Sequence, residues 1–306
     1  MTARADDAAT ATFAEHRRLL FSLVYNMLGS VADTEDALQD IWLAWVGRTR
    51  PGAPPITSPR AYLVRVAANN ALARRQAASR RRETYVGPWL PEPLVTDTPE
   101  VRDSADAADA ALRAESVSTA MLVLLESLTP LERAVFVLHE VFGYPHTEIA
   151  EILGRDSAAV RQTAHRARVH VHDRRPRYRA DPGTQRAVTE RFLAAQLGGD
   201  LTALLSLLAP DATLWSDGGG KVSAARHPIH GAQHIVRVIT GAAMSGIANS
   251  HAIEFHWVGT DPAVILLEDG IPHSVVVLDI DPATARIHGV YAVRNPDKLR
   301  HLGVPS

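Results

Sequence analysis

The sequence predicts a multidomain protein in which two all-α domains are followed by an α+β domain. Three observations predict this fold class. The chain has 306 residues, which is long enough for two or three domains. Helix-start and helix-stop signals dominate up to about residue 180, and from Thr184 strand-like segments alternate with helical ones. We expect domains at 1–95, 115–180 and 184–303, with an acidic, alanine-rich linker at 96–114.

The composition is that of a globular protein, with 46% hydrophobic and 22% charged residues and no cysteine. No apolar run approaches the ~20 residues needed to cross a bilayer, and no signal peptide opens the chain. The lack of cysteine excludes disulfides, zinc fingers and thiol catalysis. We therefore expect a cytoplasmic protein with no membrane partner, metal or cofactor.

Residues 12–48 are predicted to form two helices, the second being Asp33–Val46. On that helix Asp33, Asp36 and Asp40 fall on one face. The opposite face is apolar and consists of Leu38, Ile41, Trp42 and Trp45. An acidic face repels DNA phosphate and suits a basic protein partner, although a merely solvated face is the alternative.

A proline-rich loop precedes the next helix, in which Ser58 is the N-cap and Pro59 the first residue. This helix extends to about Arg82, and the closely spaced prolines of 89–93 end the helical region. Its polar face contains Arg65, Asn69, Arg74 and Arg75. Cationic and amide groups of this kind can hold single-stranded DNA through its phosphates and unpaired bases.

A helix-turn-helix is predicted downstream of a capping box at Thr129–Glu132. A short helix at 146–153 ends at Gly154, a tight turn follows at 155–157, and a second helix has small apolar residues at helical spacing: Val160, Ala164, Ala167 and Val171. Its other face is polar and basic and consists of Arg161, Gln162, His165, Arg166 and Arg168. This pattern is typical of a recognition helix in the major groove, and a solvated basic helix is the alternative.

The C-terminal third is predicted to form an α+β domain with a curved antiparallel sheet. Helices are expected at about 184–197, 200–208 and 231–244, and strands near 211–216, 251–258, 263–268, 273–279 and 286–294.

Three segments in order resemble the extracytoplasmic-function RNA polymerase sigma factors over about 12–178. Residues 31–40 resemble the family motif DAEDxxQ, residues 61–70 resemble WLxxIAxN with Tyr62 replacing tryptophan, and 128–172 resemble sigma region four. The resemblance implies that core polymerase binds Asp33, Asp36, Gln39 and Asp40. It implies that the −10 promoter element is recognised by Tyr62, Arg65, Asn69, Asn70, Arg74 and Arg75. It implies that the −35 element is bound by Arg161, Gln162, His165, Arg166 and Arg168.

Residues 184–303 resemble the SnoaL-like branch of the NTF2-like fold, a cone of curved sheet closed by helices. Some extracytoplasmic-function sigma factors carry such a domain, and the resemblance implies that it controls the sigma regions in cis in place of a separate anti-sigma factor. The intramolecular contacts are expected at Trp89, Pro91, Asp217, Gly218, Gly219, Gly220, Lys221, Asn295, Pro296, Asp297, Lys298 and Leu299. Lys221 and Lys298 are the only lysines, and we expect them to pair with charged groups on the sigma regions.

Two other functions stay open at this point. The chain could be a helix-turn-helix regulator that never binds polymerase and whose C-terminal domain senses a small ligand. It could also join a DNA-binding module to an NTF2-like enzyme that uses an Asp/His pair. The candidates for that pair are Asp217, His230, His256, His273 and His288. Because the sequence has no nucleophile elbow, phosphate loop or metal-ligand spacing, we expect no enzyme and no catalytic residue.

Overall fold

The structure is a computed structural model and describes residues 2–50, 52–82, 84–96, 117–172, 181–244, 251–259 and 261–302. Most of the expected linker at 96–114, and the arginines between 174 and 179, lie outside these residues. The described chain forms two compact units. Unit 1 comprises the described residues of Met1–Glu83, Asp106–Val117 and Leu124–Arg174, and unit 2 those of Thr84–Ala105, Ser118–Val123 and Arg175–Ser306.

The described residues up to 172 are mostly helical. The helices are α1 (Thr2–Leu28), α2 (Val31–Arg48), α3 (Pro59–Arg82), α4 (Thr119–Leu125), α5 (Pro130–Phe136), a π-helical turn (Val137–Val141), α6 (His146–Leu153) and α7 (Ser157–His172). Within the described ranges, no helix combines the length and the apolarity needed to cross a membrane.

Helices α1–α3 pack as a bundle, as the amphipathic pattern of α2 predicts. The Ser30 hydroxyl accepts the Asp33 N–H at 3.1 Å and caps α2. Leu38, Ile41 and Trp45 are buried, and the Trp45 indole N–H donates to the Ala9 carbonyl at 2.9 Å. This burial turns the acidic face of α2 outward.

Local signals position the helix-turn-helix as predicted. Thr129 and Glu132 form the capping box that begins α5. Gly154 ends α6 with a φ of 61°, a left-handed conformation that favours glycine. Asp156 then caps α7 by accepting the Ala158 N–H at 2.8 Å. The predicted apolar stripe of α7, from Val160 to Val171, is buried.

Unit 2 is the α+β domain together with residues 84–96 and 118–123. Its helices are α8 (Pro182–Leu197), α9 (Leu201–Leu207), α10 (Ala232–Met244) and α11 (Pro296–Leu299), followed by a 3₁₀ turn (Arg300–Leu302). Its strands are β1 (Val95–Thr96), β2 (Leu208–Asp217), β3 (Ile229–His230), β4 (His251–Val258), β5 (Asp261–Glu268), β6 (Ile271–Ile280) and β7 (Ile287–Val293). They form one sheet in the order β1-β4-β5-β6-β7-β2-β3.

The expectation of an antiparallel sheet is wrong at one pair of strands, because β2 runs parallel to β7. Parallel neighbours need a long crossover, and the chain from 218 to 286 with α10 provides one. The short edge strand β1, which pairs antiparallel with β4, was not predicted either.

The sheet is apolar on both faces. Helices α8–α10 cover one face, where Phe192, Leu204 and Ile235 pack against Leu278 and Val290. The other face is covered by the segment 84–96, by helix α4 and by the C-terminal tail, through Leu90, Val95, Ala120, Val123, Leu299 and Leu302. The segment 84–96 is therefore built into the core of unit 2.

Candidate nucleic-acid interface

The recognition helix α7 presents its polar face to solvent. Arg161, Gln162, His165, Arg166 and Arg168 are all exposed. Two of these arginines also have carboxylate partners in the same module: Arg168 donates to Glu140 through two nitrogens at 3.0 and 2.6 Å, and Arg166 lies 3.4 Å from Glu132. The exposed Arg168–Glu140 pair contributes only about 0–1 kcal/mol, whereas the carboxylate that faces Arg166 belongs to the buried Glu132.

The acidic face of α2 is exposed at Asp36, Gln39 and Asp40, whereas Asp33 is half-buried at the first turn. Arg74 of α3 forms a salt bridge with Asp40. The hydrogen bond from Arg74 lowers the pKa of Asp40, so that the carboxylate stays charged. Asp40, a predicted polymerase contact, and Arg74, a predicted DNA contact, therefore neutralise each other's charge.

Helix α3 holds its other predicted DNA contacts in different environments. Tyr62 packs against Trp45 with ring centroids 5.9 Å apart, and the exposed Arg65 lies over the Tyr62 ring at 5.7 Å. The side-chain amide oxygen of Asn70 accepts the Arg74 Nε–H at 2.9 Å. Tyr62 therefore stands at the edge of the bundle core.

Two of the predicted −10 residues bond other segments of unit 1, although Asn69 stays exposed. Arg75 is 5% exposed and donates through both terminal nitrogens to Glu126, at 3.2 and 2.7 Å. Asn69 donates to the Ile152 carbonyl in α6 at 2.6 Å. The expectation that these side chains project into solvent is wrong for Arg75, because the partly buried carboxylate of Glu126 binds its guanidinium group.

In unit 2, Asp217 is the centre of the expected regulatory motifs. It is fully buried at the end of β2. Its carboxylate accepts the Tyr85 hydroxyl at 2.6 Å, the Leu90 N–H at 2.8 Å and the Gly219 N–H at 3.1 Å, and it pairs with Lys298 at 2.7 Å. A buried charge is tolerated when it is paired and hydrogen-bonded in this way.

Lys298 also contacts the segment 84–96. Its ammonium also donates to the Leu90 carbonyl and lies 3.8 Å from the centroid of the Trp89 ring. Asn295 donates to the Tyr85 hydroxyl at 2.8 Å. Burial, together with the Asp217 charge, raises the pKa of Tyr85, so its hydroxyl stays a donor.

The remaining predicted regulatory residues lie around this cluster. Lys221 pairs with Asp297, both partly exposed. Gly218 and Gly219 pack closely, since a Cβ on Gly219 would lie 2.2 Å from the Asn295 amide nitrogen. Pro91 and Leu299 are buried, while Gly220 and Pro296 are exposed. Lys298 therefore pairs with Asp217, and Lys221 with Asp297.

Three of the four histidines considered for catalysis have other polar partners. His230 is 3.1 Å from the Thr213 hydroxyl, His256 pairs with Glu254 at 3.0 Å, and His288 lies 3.6 Å from Asp211. His273 is half-buried on β6. Asp217 itself is engaged by Tyr85 and Leu90 of the segment 84–96 and by Lys298.

Sequence reasoning missed four residues that this arrangement uses: Tyr85, Glu126, Arg133 and His301. The His301 ring nitrogen lies 2.8 Å from the Pro93 carbonyl. The Thr119 N–H also donates to Asp261 at 2.6 Å. Each contact joins positions at least 51 residues apart, except the pair Glu126–Arg133, so no spacing signal in the sequence indicates them.

Comparison with known proteins agrees with this geometry. Residues 12–81 match the family model "Sigma-70 region 2" and residues 118–171 match "Sigma-70, region 4". Over 226 residues the chain is 41% identical to the ECF RNA polymerase sigma factor SigJ of Mycobacterium tuberculosis, covering 74% of this chain and 70% of the relative. The chain belongs to the extracytoplasmic-function RNA polymerase sigma factors.

Two further comparisons extend this result. The chain is 34% identical to the probable sigma factor SigI of M. tuberculosis over 67% of this chain and 68% of the relative. It is also similar to the crystal structure of M. tuberculosis SigJ, with a TM-score of 0.74 and 32% identity over 95% of this chain and 98% of the other. In this sigma factor, α1–α3 are hereafter the region-2 module and α4–α7 the region-4 module. The C-terminal α+β domain of unit 2, whose sequence resembles the SnoaL-like proteins, is called the SnoaL-like domain.

Proposed function

We propose that this sigma factor binds core polymerase through the acidic face of α2, opens the −10 element with α3, holds the −35 element with α7, and is modulated in cis by its SnoaL-like domain. The exposure of carboxylates on α2 and of guanidinium groups on α7 carries the proposal. An acidic surface repels DNA and attracts a basic protein, and a basic surface does the reverse. Both partners occur in the cytoplasm.

Run-off transcription with purified core polymerase on genomic promoter fragments tests this function. Asp36→Lys reverses a charge on the exposed face of α2 and should abolish polymerase pull-down and transcription. Glu190→Lys makes the same change on α8 of the SnoaL-like domain and should leave both at wild-type level. If Asp36→Lys binds polymerase as tightly as the wild type, α2 is not the docking surface.

Modulation in cis is supported by the hydrogen bonds that Asp217, Asn295 and Lys298 make with the segment 84–96. This segment follows the −10 helix α3 in the chain. The Tyr85 hydroxyl connects Asp217 with Asn295. Tyr85→Phe removes that connection while keeping the ring, so it loosens the segment without removing the domain. We expect transcription to differ at least about twofold from wild type, since a lost hydrogen bond is worth about 1 kcal/mol. Equal transcription would refute modulation through this contact.

We also propose that the SnoaL-like domain regulates without catalysing a reaction and that it replaces a separate anti-sigma factor. Its buried acid Asp217 is committed to an ion pair with Lys298, which supports a structural role. A purified chain that activates transcription to the same level with and without host proteins would support regulation within one molecule. An inhibitor protein recovered from the host that blocks the chain would contradict it.

A further inference from the structure

Two histidine rings stack on each other in the region-4 module. His139 lies in the π-helical turn, and His146 is the first residue of α6. Their ring centroids are 4.1 Å apart and their planes are inclined by 30°. Both side chains are half-buried, so this histidine stack is partly open to solvent. The contacts proposed above for polymerase and DNA use neither residue.

The hydrogen bond of His139 determines where the stack can accept a proton. The His139 Nδ1 lies 2.8 Å from the Tyr144 carbonyl oxygen. Since a carbonyl oxygen only accepts hydrogen bonds, Nδ1 carries the hydrogen, and Nε2 is the nitrogen of this ring that can take up a further proton. Two protonated rings 4.1 Å apart would repel each other, so the stack accepts one proton rather than two.

The groups around the stack keep His146 uncharged in the free protein. Its electrostatic neighbours lie on the π-helical turn and on α7 and are His139, Glu140, Arg161 and Arg168. Partial burial, together with His139 and the two arginines, lowers the pKa of His146 from its usual 6.5, so the ring is neutral at pH 7. Glu140 acts in the opposite direction, but its carboxylate is paired with Arg168 at 2.6 Å.

Bound DNA changes this balance of charge. Arg161 and Arg168 belong to the exposed face of α7 that is predicted to bind the −35 element. In a helix-turn-helix the first helix crosses the DNA backbone while the second lies in the major groove, so the start of α6 lies near phosphates. Phosphate charge offsets the two guanidinium groups and favours a positive ring next to them. These two guanidinium groups and the Glu140 carboxylate have a net charge of +1, and one proton on the stack makes it +2.

We propose that the His139–His146 stack is a further phosphate-binding site of this sigma factor, and that it takes up one proton when the region-4 module binds DNA. This inference rests on the proposed function, because it requires α7 to lie on DNA. The ligand is the phosphodiester backbone rather than a base edge, since an imidazolium ion donates N–H bonds to any anion and accepts none. The site therefore adds affinity for DNA without adding sequence preference.

The pH dependence of DNA binding has a defined sign. A group whose pKa is higher in the complex than in the free protein takes up a proton on binding, so the affinity rises as the pH falls through the pKa of the complex. The gain ends below the pKa of the free protein, where both states are protonated. A pKa difference of about one unit corresponds to a tenfold change in affinity. We expect the Kd for duplex DNA to fall about three- to tenfold from pH 8 to pH 6.

Fluorescence anisotropy with the full-length chain and a labelled DNA duplex of mixed sequence measures this effect. The Kd is determined at pH 6 and pH 8 at one salt concentration, and the ratio of the two values is compared between proteins. His146→Gln and His139→Gln should each reduce the ratio to at most about half of the wild-type value, because glutamine keeps a hydrogen-bonding amide that does not titrate. His227→Gln, at an exposed histidine of the SnoaL-like domain, is the matched control and should keep the wild-type ratio. The exposed histidines of α7 are present in all four proteins, so their contribution cancels.

Calorimetric titration of the same duplex in two buffers of different ionisation enthalpy counts the protons taken up on binding. The wild type should take up a fraction of a proton that both stack variants lack, a difference that a merely structural role of the histidines would not produce. Equal ratios and equal proton uptake in the wild type and both stack variants would overturn the inference, while binding of the duplex leaves the proposed role of α7 intact. If the wild type binds no duplex at either pH, the proposed role of α7 fails and the inference falls with it.

Discussion

The two lysines of the chain allow a direct comparison of a buried and an exposed ion pair in one domain. Lys298 and Asp217 have side chains 6% and 0% exposed, whereas Lys221 and Asp297 are 49% and 39% exposed. Lys298→Met and Lys221→Met remove the same charge and keep a similar apolar chain. We predict that the first variant destabilises unit 2 strongly and that the second has little effect.

The magnitude follows from what each variant leaves behind. Lys298→Met leaves the Asp217 carboxylate buried with three hydrogen bonds and no positive partner, and it removes a donor to the Leu90 carbonyl. Removing one partner of a buried pair costs about 3–5 kcal/mol. The exposed pair of Lys221 is worth about 0–1 kcal/mol because water screens it. For a unit of this size, the Lys298 change corresponds to a fall in Tm of roughly 6–20 °C.

Calorimetry on both variants and the wild type measures the difference. Proteolysis within 84–96 should accelerate in Lys298→Met alone, since Leu90 loses its contact with the ammonium. Unfolding free energies of the two variants within about 1 kcal/mol of each other would refute the reasoning, because Asp217 would then not need its counter-charge.

Three further predictions concern single positions. Arg161→Ala on the exposed face of α7 should weaken binding of promoter duplex and reduce the slope of log K against log salt by about one if it contacts phosphate, measured by fluorescence anisotropy. Gly219 and Gly270 both have a positive φ, +58° and +78°, but a Cβ on Gly219 would lie 2.2 Å from the Asn295 amide nitrogen, whereas a Cβ on Gly270 would meet open space. In urea unfolding, Gly219→Ala should therefore lower the free energy of unfolding by at least about 1 kcal/mol more than Gly270→Ala does. Equal losses in the two variants would contradict the clash. Burial raises the pKa of Asp279 from 3.8 to about 6, so the folded state binds this proton more tightly than the unfolded state, and the free energy of unfolding falls as the pH rises between these values. Asp279→Asn should therefore raise the free energy of unfolding by about 1–3 kcal/mol at pH 7.5 and change it little near pH 4. Melting curves at both pH values measure the difference.

Much of the helical part could be predicted because its signals are local. The capping box at Thr129–Glu132, the left-handed Gly154 and the apolar spacing of α7 act over one or two helical turns. Steric and hydrogen-bonding rules over such short distances do not depend on the rest of the chain. The predicted start of α3 at Pro59 and its end at Arg82 agree with the structure for the same reason.

The partners of charged groups could not be predicted because they are distant in sequence. Asp217 and Lys298 are separated by 81 residues, and Arg75 and Glu126 by 51. Helical periodicity placed Arg75 on the polar side of α3, but it cannot tell a side that faces water from one that faces another module. The edge strand β1 is two residues long, too short for an alternating pattern to be recognised.

The sequence by itself determined the family, the order of the modules and the charge of each helix face. Those properties depend on residue types and on spacings of three or four residues, which can be read directly from the sequence. The tertiary structure decided which charges are available: it buried Arg75 on Glu126, fastened the segment 84–96 to Asp217 and Lys298, and left α7 exposed. The physical reason is that desolvation and pairing, which set the strength of a charge, depend on neighbours that only folding brings together.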